Sequence, residues 1–293
     1  MTQLHLLDGT YELFRSHFGR PAATDPQGRS VQATVGVVES TLFLLREGVT
    51  HLAVATDHVI RSWRNERWPT YKTEEGMPPE LLAQFPRAEE ALRAIGVVVW
   101  PQVEFEADDA LGAAAARWGD APELERVVVM TPDKDMSQLV REDGRVVCFD
   151  RRKGALIDTA AVRAKFGVEP ASIPDYLALV GDSADGYPGL PGWGAKSAAA
   201  VLARYGHLED IPERAAAWDV GLRNAPLLAA TLREQRDLVL LFRELATLRF
   251  DAPIPGDLAD LEWRGVPRPA FERLVEETGA RQLFGRVPRW ADA

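Results

Sequence analysis

The sequence is poor in the residues that build thiol and imidazole chemistry. Cys148 is the one cysteine in 293 residues, which excludes an internal disulfide and a cysteine-based metal cage. It sits in "RVVCFD", a strand pattern, and reads as a small buried core residue. The five histidines are too few and too scattered for a zinc centre, and only His58 adjoins any of the acids discussed below. No apolar run reaches the ~20 residues that span a bilayer. The opening "MTQLHLLDGT" lacks the basic start and long apolar run of a signal peptide, so a cytoplasmic protein without a membrane partner is the expectation. There is no G-x-S-x-G and no evident Cys–His pairing, so no side-chain nucleophile presents itself. Positive charge is also short. Against 44 Asp and Glu stand 34 Lys and Arg, a net −10. That sum argues against nucleic acid as a partner. The argument weakens if many acids gather in one place to hold cations, so local arrangement matters more.

What is present is a hydrophobic content of 46%, enough to bury a substantial core. "LHLLDG", "HLAVATD" (51–57) and "VVVMTPDKD" (127–135) are short apolar strands, each ending in acid, and "GVVVWPQ" (96–102) is a further strand. Between them lie helical patterns: "ATVGVVESTLFLLREG", "PPELLAQFPRAEEALRAIG" and "ADDALGAAAARWG". This alternation predicts an α/β fold, a mostly parallel sheet with helices on both faces. The second half changes character. A Gly/Pro-punctuated stretch between two helical segments leads into mostly helical patterns, ending in "FERLVEETGARQLFGRVPRW". A soft boundary near 170 divides residues 1–170 from a closely packed helical part, 171–293.

In open α/β sheets, sites form just beyond the carboxyl ends of the strands. Asp8, Asp57 and Asp133 fall there, and Glu106, Asp108 and Asp109 follow another strand by a few residues. Any single acid there reads as a cap or a turn former. All of them at one kind of position are harder to dismiss. Asp135 lies two residues from Asp133, and Asp182 and Asp185 in "GDSADG" add two more. Clustered carboxylates without sulfur or imidazole suit a hard cation, Mg²⁺ or Mn²⁺. Gathered in one site, the nine would need cations to offset their repulsion, and two divalent ions are the arrangement that clamps a phosphodiester.

"GDSADGYPGLPGWGAKSAAAVL" is the most specific stretch. Its glycines allow a tight hairpin, and Gly194 opens a helix whose backbone N–H groups can meet a phosphate, with Lys196 and Ser197 at the same turn. An ordinary helix connector would need one glycine where this has Gly189, Gly192 and Gly194. "RSWRNERWPTYKTEEG" mixes Arg61, Arg64, Arg67 and Lys72 with Trp63, Trp68 and Tyr71. That mixture fits a single strand, with charge on phosphate and rings on bases. It equally fits an amphipathic helix with its tryptophans in the core. Arg15, shortly after Asp8, is a further candidate to touch substrate, and Arg20 a weaker one.

These residues resemble the 5′ nucleases: flap endonucleases, and the 5′–3′ exonuclease domain joined to bacterial family A DNA polymerases. "LLDGTYELFRSHF" is similar to the family's first metal motif, with Asp8 as the acid. "ATDHVIRSWRNERWPTYK" resembles the second acid followed by the arch residues, here Asp57, Arg64, Tyr71 and Lys72. "FEADDALG", "TPDKDMSQLV" and "GDSADGYPGLPGWGAKSA" match the remaining acid motifs and the helix–three-turn–helix. The resemblance implies a PIN/resolvase-like core, a helical arch at about 61–85, and two or more Mg²⁺ or Mn²⁺ held by Asp8, Asp57, Glu106, Asp108, Asp109, Asp133, Asp135, Asp182 and Asp185. It implies Lys72 and Arg64 at the chemistry. Arg15, Arg61, Tyr71, Gly192, Gly194, Lys196 and Ser197 would contact DNA, with K⁺ at the hairpin carbonyls. The partner is then nicked or flapped DNA with a 5′ end, or an RNA primer on DNA, and the biology is primer removal and repair. The chain ends at residue 293, so a monomeric stand-alone nuclease, or one meeting its polymerase in trans, is expected. The alternative is a structure-specific DNA-binding module with little catalysis.

Three departures from the family stand out. Gly186 replaces the usual Asn, Trp193 replaces Ile or Val at a place where a larger ring would alter duplex contact, and Glu74 and Glu75 follow Lys72 where a basic residue is common.

Overall fold

The segment "TQLHLLD" is apolar at nearly every position, the mark of a strand covered on both faces. In the computed structural model, which describes residues 2–291, it forms β1 (Thr2–Asp8), with Leu4, Leu6 and Leu7 fully buried. The chain continues through α1 (Gly9–Gly19), α2 (Gln32–Arg46), β2 (His51–Asp57), α3 (Arg64–Arg67), α4 (Pro79–Leu82), α5 (Gln84–Ala94), β3 (Val98–Gln102), α6 (Ala107–Trp118) and β4 (Leu124–Met130). After a 3₁₀ turn (Asp135–Leu139) come β5 (Val146–Asp150), β6 (Ala155–Ile157), α7 (Thr159–Phe166), α8 (Ile173–Val180), α9 (Ala195–Tyr205), α10 (Ala225–Glu234), α11 (Arg236–Ala246) and α12 (Arg268–Thr278). Among the described residues no helix is long and apolar enough to cross a membrane.

The chain forms two compact units. The first comprises residues 1–60, 74–131 and 249–293. Its four strands are parallel, in the order β3-β2-β1-β4. Asp8 pairs with Ala55 and Asp57 with Gln102, so both acids sit at the carboxyl edge. The crossovers from β1 to β2 and from β2 to β3 run one way, with α1 and α5 against β2. The crossover from β3 back to β4 runs the other way, and right-handed connection therefore puts α6 on the opposite face. Gly9 makes the turn after Asp8 possible. A Cβ there would lie 2.7 Å from the Val54 side chain and 2.8 Å from the Ala55 carbonyl.

The second unit comprises residues 61–73 and 132–248. It holds the antiparallel β5–β6 hairpin and the helices α3 and α7 to α11. Helix α11 presents Val239, Phe242 and Leu245 to α8, whose Leu177 and Leu179 are equally buried. Cys148 is buried in β5, as the strand pattern predicts.

The tail differs from expectation. Residues 249–291 do not join the helical unit but return to the first. The Trp263 backbone N–H donates to the Thr50 carbonyl, its indole donates to the Ile95 carbonyl, and α12 packs on α5. The segment 61–85 differs as well. It contains two four-residue helices among turns, with its first thirteen residues in the second unit and the rest in the first.

Candidate active site

Two groups of carboxylates stand out, one in each unit. In the first unit they are built on strand ends. Asp8 Oδ1 accepts from the Tyr11 N–H at 2.8 Å and so caps α1, and Oδ2 accepts from the Thr131 hydroxyl at 2.8 Å beyond β4. Asp57, at the end of β2, takes the Ala107 N–H of α6 at 2.6 Å on Oδ1, while its own N–H is held by the Thr10 hydroxyl. These bonds fix the orientation of both carboxylates.

The triplet Glu106, Asp108 and Asp109 divides into two roles. Asp109 is fully buried, and its two oxygens accept backbone N–H groups, from Glu106 at 3.1 Å and from Arg249 at 2.9 Å. With Glu106 it forms the capping box at the start of α6. Glu106 is buried at the N-cap and Asp108 is half-exposed on the first turn.

In the second unit, Asp135, Asp182 and Asp185 each offer an oxygen within 4.8 Å of the others. Asp133 is not part of that triad. It is exposed and accepts the Asp135 N–H at 3.0 Å. Burial, with the charges of Asp133, Asp185 and Asp182, pushes the Asp135 carboxyl well above its ordinary range. Its Oδ1 is buried without a hydrogen-bond partner. The Lys134 ammonium lies 2.6 Å from Asp182. Burial pulls its pKa down, but the bond to Asp182 and the charges of Asp135 and Asp133 outweigh that and raise it. The donor set is oxygen only, one oxygen is unmet, and a lysine cation already leans on the cluster. All three features fit a hard divalent cation.

The segment 61–73 lies against this group, but not as a basic face. Arg64 is 2% exposed and donates to the carbonyls of Leu245 at 2.8 Å and Thr247 at 3.1 Å, with Trp63 and Tyr71 stacked on its guanidinium. Arg64, expected at the chemistry, ties the segment to the end of α11 through these bonds. Tyr71, expected on DNA, is 3% exposed and stacks on Tyr187. Arg61 remains exposed. Lys72 is half-exposed, in the left-handed region at φ 29°, and its N–H donates to the Asp185 carbonyl at 3.1 Å. This places Lys72 next to the triad. The Gly186 departure follows from the same packing. Trp68 donates to the Gly186 carbonyl, and a Cβ at 186 would meet the Thr70 carbonyl at 2.5 Å.

At the hairpin, Gly194 caps α9 and Lys196 is exposed on its first turn. Ser197 is turned inward, accepting from the Gly194 N–H and donating to its carbonyl, both at 3.0 Å. Trp193 is buried, packs on Trp218 and donates to the Leu228 carbonyl, so its ring is not the duplex-facing group that its position suggested. Arg15, on α1, is 41% exposed and bonded to buried Glu12 and to Ser40. Arg20 pairs with Glu39. Thr131, Thr10, Lys134 and Tyr187 were not singled out in the sequence. All four lie within two residues of a singled-out acid, which is the signal that finds them.

Residues 3–167 match the family described as "5'-3' exonuclease, N-terminal resolvase-like domain", and residues 168–269 match its "C-terminal SAM fold". The chain is 33% identical to DNA polymerase I of Bacillus caldotenax over 97% of its own length, but it spans only 32% of that relative. It is 30% identical to the 5′–3′ exonuclease of Aquifex aeolicus, covering 99% of this chain and 96% of that one. The flap endonuclease of bacteriophage T5, solved as a pseudo-enzyme-product complex with DNA and metal ions, superposes with a TM-score of 0.64 at 19% identity, over 83% of this chain and 88% of that one. Its likeness is one of fold. The two domain matches in sequence order, with a relative matched nearly end to end, show that this chain belongs to the 5′–3′ exonuclease family and is a nuclease.

Proposed function

We propose that the protein is a divalent-metal-dependent 5′ nuclease that hydrolyses DNA phosphodiesters, with 5′–3′ exonuclease and flap endonuclease activity, in primer removal and repair. The observation that carries this reading is the Asp135–Asp182–Asp185 triad with its unmet, buried Asp135 oxygen. Asp133 adds a carboxylate beside it, and Asp8, Asp57, Glu106 and Asp108 make up the second group. Bound Mg²⁺ or Mn²⁺ would lower the pKa of water and stabilise the leaving oxyanion.

The chain's own groups have the following parts in this reading. The carboxylates hold the cations and accept protons from water through their remaining lone pairs. Lys72, tethered to Asp185 through its backbone, brings an ammonium to the scissile phosphate. Arg61 steers the approaching strand. The exposed Lys196 and the free N–H groups at the start of α9 take a duplex phosphate without reading base sequence. The parallel strands of the first unit form the nuclease core, and the helices of residues 171–248 form the part that grips the duplex. DNA with a 5′ end or flap is the substrate in this reading, and the DNA-bound T5 flap endonuclease, a chain of the same fold, supports it.

The test is a 5′-labelled flap duplex with Mg²⁺, beside an EDTA lane and an unbranched duplex of the same sequence. Cleavage near the junction that EDTA abolishes is expected. Tight binding to the flap with no cleavage in Mg²⁺ or Mn²⁺ would overturn the reading in favour of a structure-specific binding module.

A further inference from the structure

Tyr187 lies in the loop that carries Asp182 and Asp185, and among the described residues no hydrogen bond uses its hydroxyl. The Tyr187 N–H donates to the Asp182 carbonyl at 3.0 Å and the Asp182 N–H donates to the Tyr187 carbonyl at 2.9 Å, an isolated antiparallel bridge. Residues opposed in such a bridge send their side chains to the same face. Tyr187 and the triad member Asp182 therefore leave the loop together, and both line one cleft with Ser183 and Gly186. The ring is held on two sides, 6.4 Å from Tyr71 at an interplanar angle of 8° and 5.4 Å from Phe242 at 27°. It is 1% exposed.

Phenylalanine would fill that stack equally well. The hydroxyl that tyrosine adds is buried and finds no hydrogen-bond partner. A buried polar atom left unmet is unfavourable, and such groups in native proteins almost always have a partner. What faces this one is anionic. A phenol is protonated at neutral pH and has one O–H to donate, and the charges that bear on it are those of Asp135, Asp185 and Asp182. Across the same cluster the Asp135 Oδ1 is also buried and unmet. The Tyr187 hydroxyl and one oxygen of the three carboxylates are thus each without a hydrogen-bond partner among the described residues.

We propose that Tyr187 is a positioning residue of the cation site: its hydroxyl donates to an acceptor oxygen that the Asp135–Asp182–Asp185 group presents only when it holds a divalent cation. The inference rests on the reading of that triad as a cation site. Donors of this kind fix the orientation of ligating oxygens, and their loss lowers metal affinity. Tyr71 and Phe242 hold the phenol at its place, and Arg64, stacked on Tyr71 and bonded to the end of α11, holds Tyr71. The aromatic and basic character of residues 61–73 thus serves the acids by supporting this ring.

The experiment is a Mn²⁺ titration of the full chain followed by electron paramagnetic resonance, on the parent, Tyr187→Phe and Asp135→Asn, with the thermal midpoint of each in EDTA. Asp135→Asn identifies which Mn²⁺ belongs to the triad. Tyr187→Phe is expected to bind that Mn²⁺ about tenfold more weakly, with a midpoint in EDTA no lower than the parent's, because the stack is intact and an unmet hydroxyl is gone. Equal Mn²⁺ affinity in Tyr187→Phe and parent overturns the proposal, as does a lowered midpoint in EDTA, which would mean that the hydroxyl has a structural partner without metal. If Asp135→Asn loses no Mn²⁺, the triad itself is not a cation site and the inference falls with that reading.

Discussion

Asp57 Oδ1 accepts the Ala107 N–H at 2.6 Å, which ties the end of β2 to the first turn of α6. A carboxylate proposed as a metal ligand is thereby also a partner for a helix terminus that would otherwise be left with an unmet donor. The two roles can be separated. Asparagine keeps the acceptor and loses the charge, while alanine loses both. In EDTA, Asp57→Ala should be less stable than Asp57→Asn by about 1 kcal/mol, read from urea midpoints. Both should lose Mg²⁺-dependent cleavage. Equal stability of the two variants would show that the bond to Ala107 contributes nothing.

Arg64 and Lys72, eight residues apart, should behave differently. Arg64→Ala strands the Leu245 and Thr247 carbonyls and should cost about 3 kcal/mol, the scale of bonds from a charged donor to buried acceptors. Lys72→Ala should leave stability within about 1 kcal/mol and cut the single-turnover cleavage rate more than DNA binding. A Lys72→Ala rate equal to the parent's would remove Lys72 from the chemistry.

The Arg243 guanidinium grips Glu209 with bonds of 2.6 and 2.7 Å and holds its carboxyl at about 2, below its ordinary 4.5. A lowered acid stabilises the fold above its unfolded value, and that contribution is lost as pH falls from 4.5 towards 2. Because Glu209 is half-exposed, Glu209→Gln should cost only about 0.5 kcal/mol at pH 7. The difference should close by pH 2. A penalty that persists there would point to packing and not charge.

Burial pushes the Cys148 thiol up to about 12, and its sulfur donates to the Met136 carbonyl. The native protein should therefore resist Ellman's reagent over the time in which the urea-unfolded chain reacts fully. Rapid native labelling would mean that β5 opens readily.

The parts of the fold legible in sequence are those where one residue pattern permits one environment. Runs such as "LHLL" and "VVVM" fit only a strand buried on both faces, and the acids that end them mark the sheet's carboxyl edge. Strand β6 and helix α7 went unread. The strand is three residues with Leu156 exposed, and "TAAVRAKF" buries only Val162 and Phe166 among its apolar residues with side chains longer than alanine. The long pattern from 78 to 96 breaks at Ala83, where Pro86 in the first turn of α5 is the signal, and "LLAATLREQRDLVLLFRELA" hid another break at Gln235, which carries no glycine or proline. In the candidate site, the approach of Asp135 to Asp182 and Asp185 was legible, but not the placing of the other acids. Asp109 spends its oxygens on backbone donors, one of them the distant Arg249 N–H, and Asp133 stands outside the triad in a local turn with Asp135. The same holds for residues 61–73. Arginines between aromatic rings suit a nucleic-acid surface and a cation–π core alike, and the carbonyls at the end of α11 decide which way Arg64 turns.

The most direct test of the account is the Mg²⁺ dependence of single-turnover flap cleavage in the parent and in Asp135→Asn, with both proteins first shown to bind the flap in EDTA. The account predicts that Asp135→Asn binds DNA and cleaves it at least ~10²-fold more slowly, the scale on which one charge stabiliser is lost, and that it needs more Mg²⁺ to reach its own maximum. Identical rates and an identical Mg²⁺ midpoint would contradict the assignment of the Asp135–Asp182–Asp185 group as a catalytic cation site.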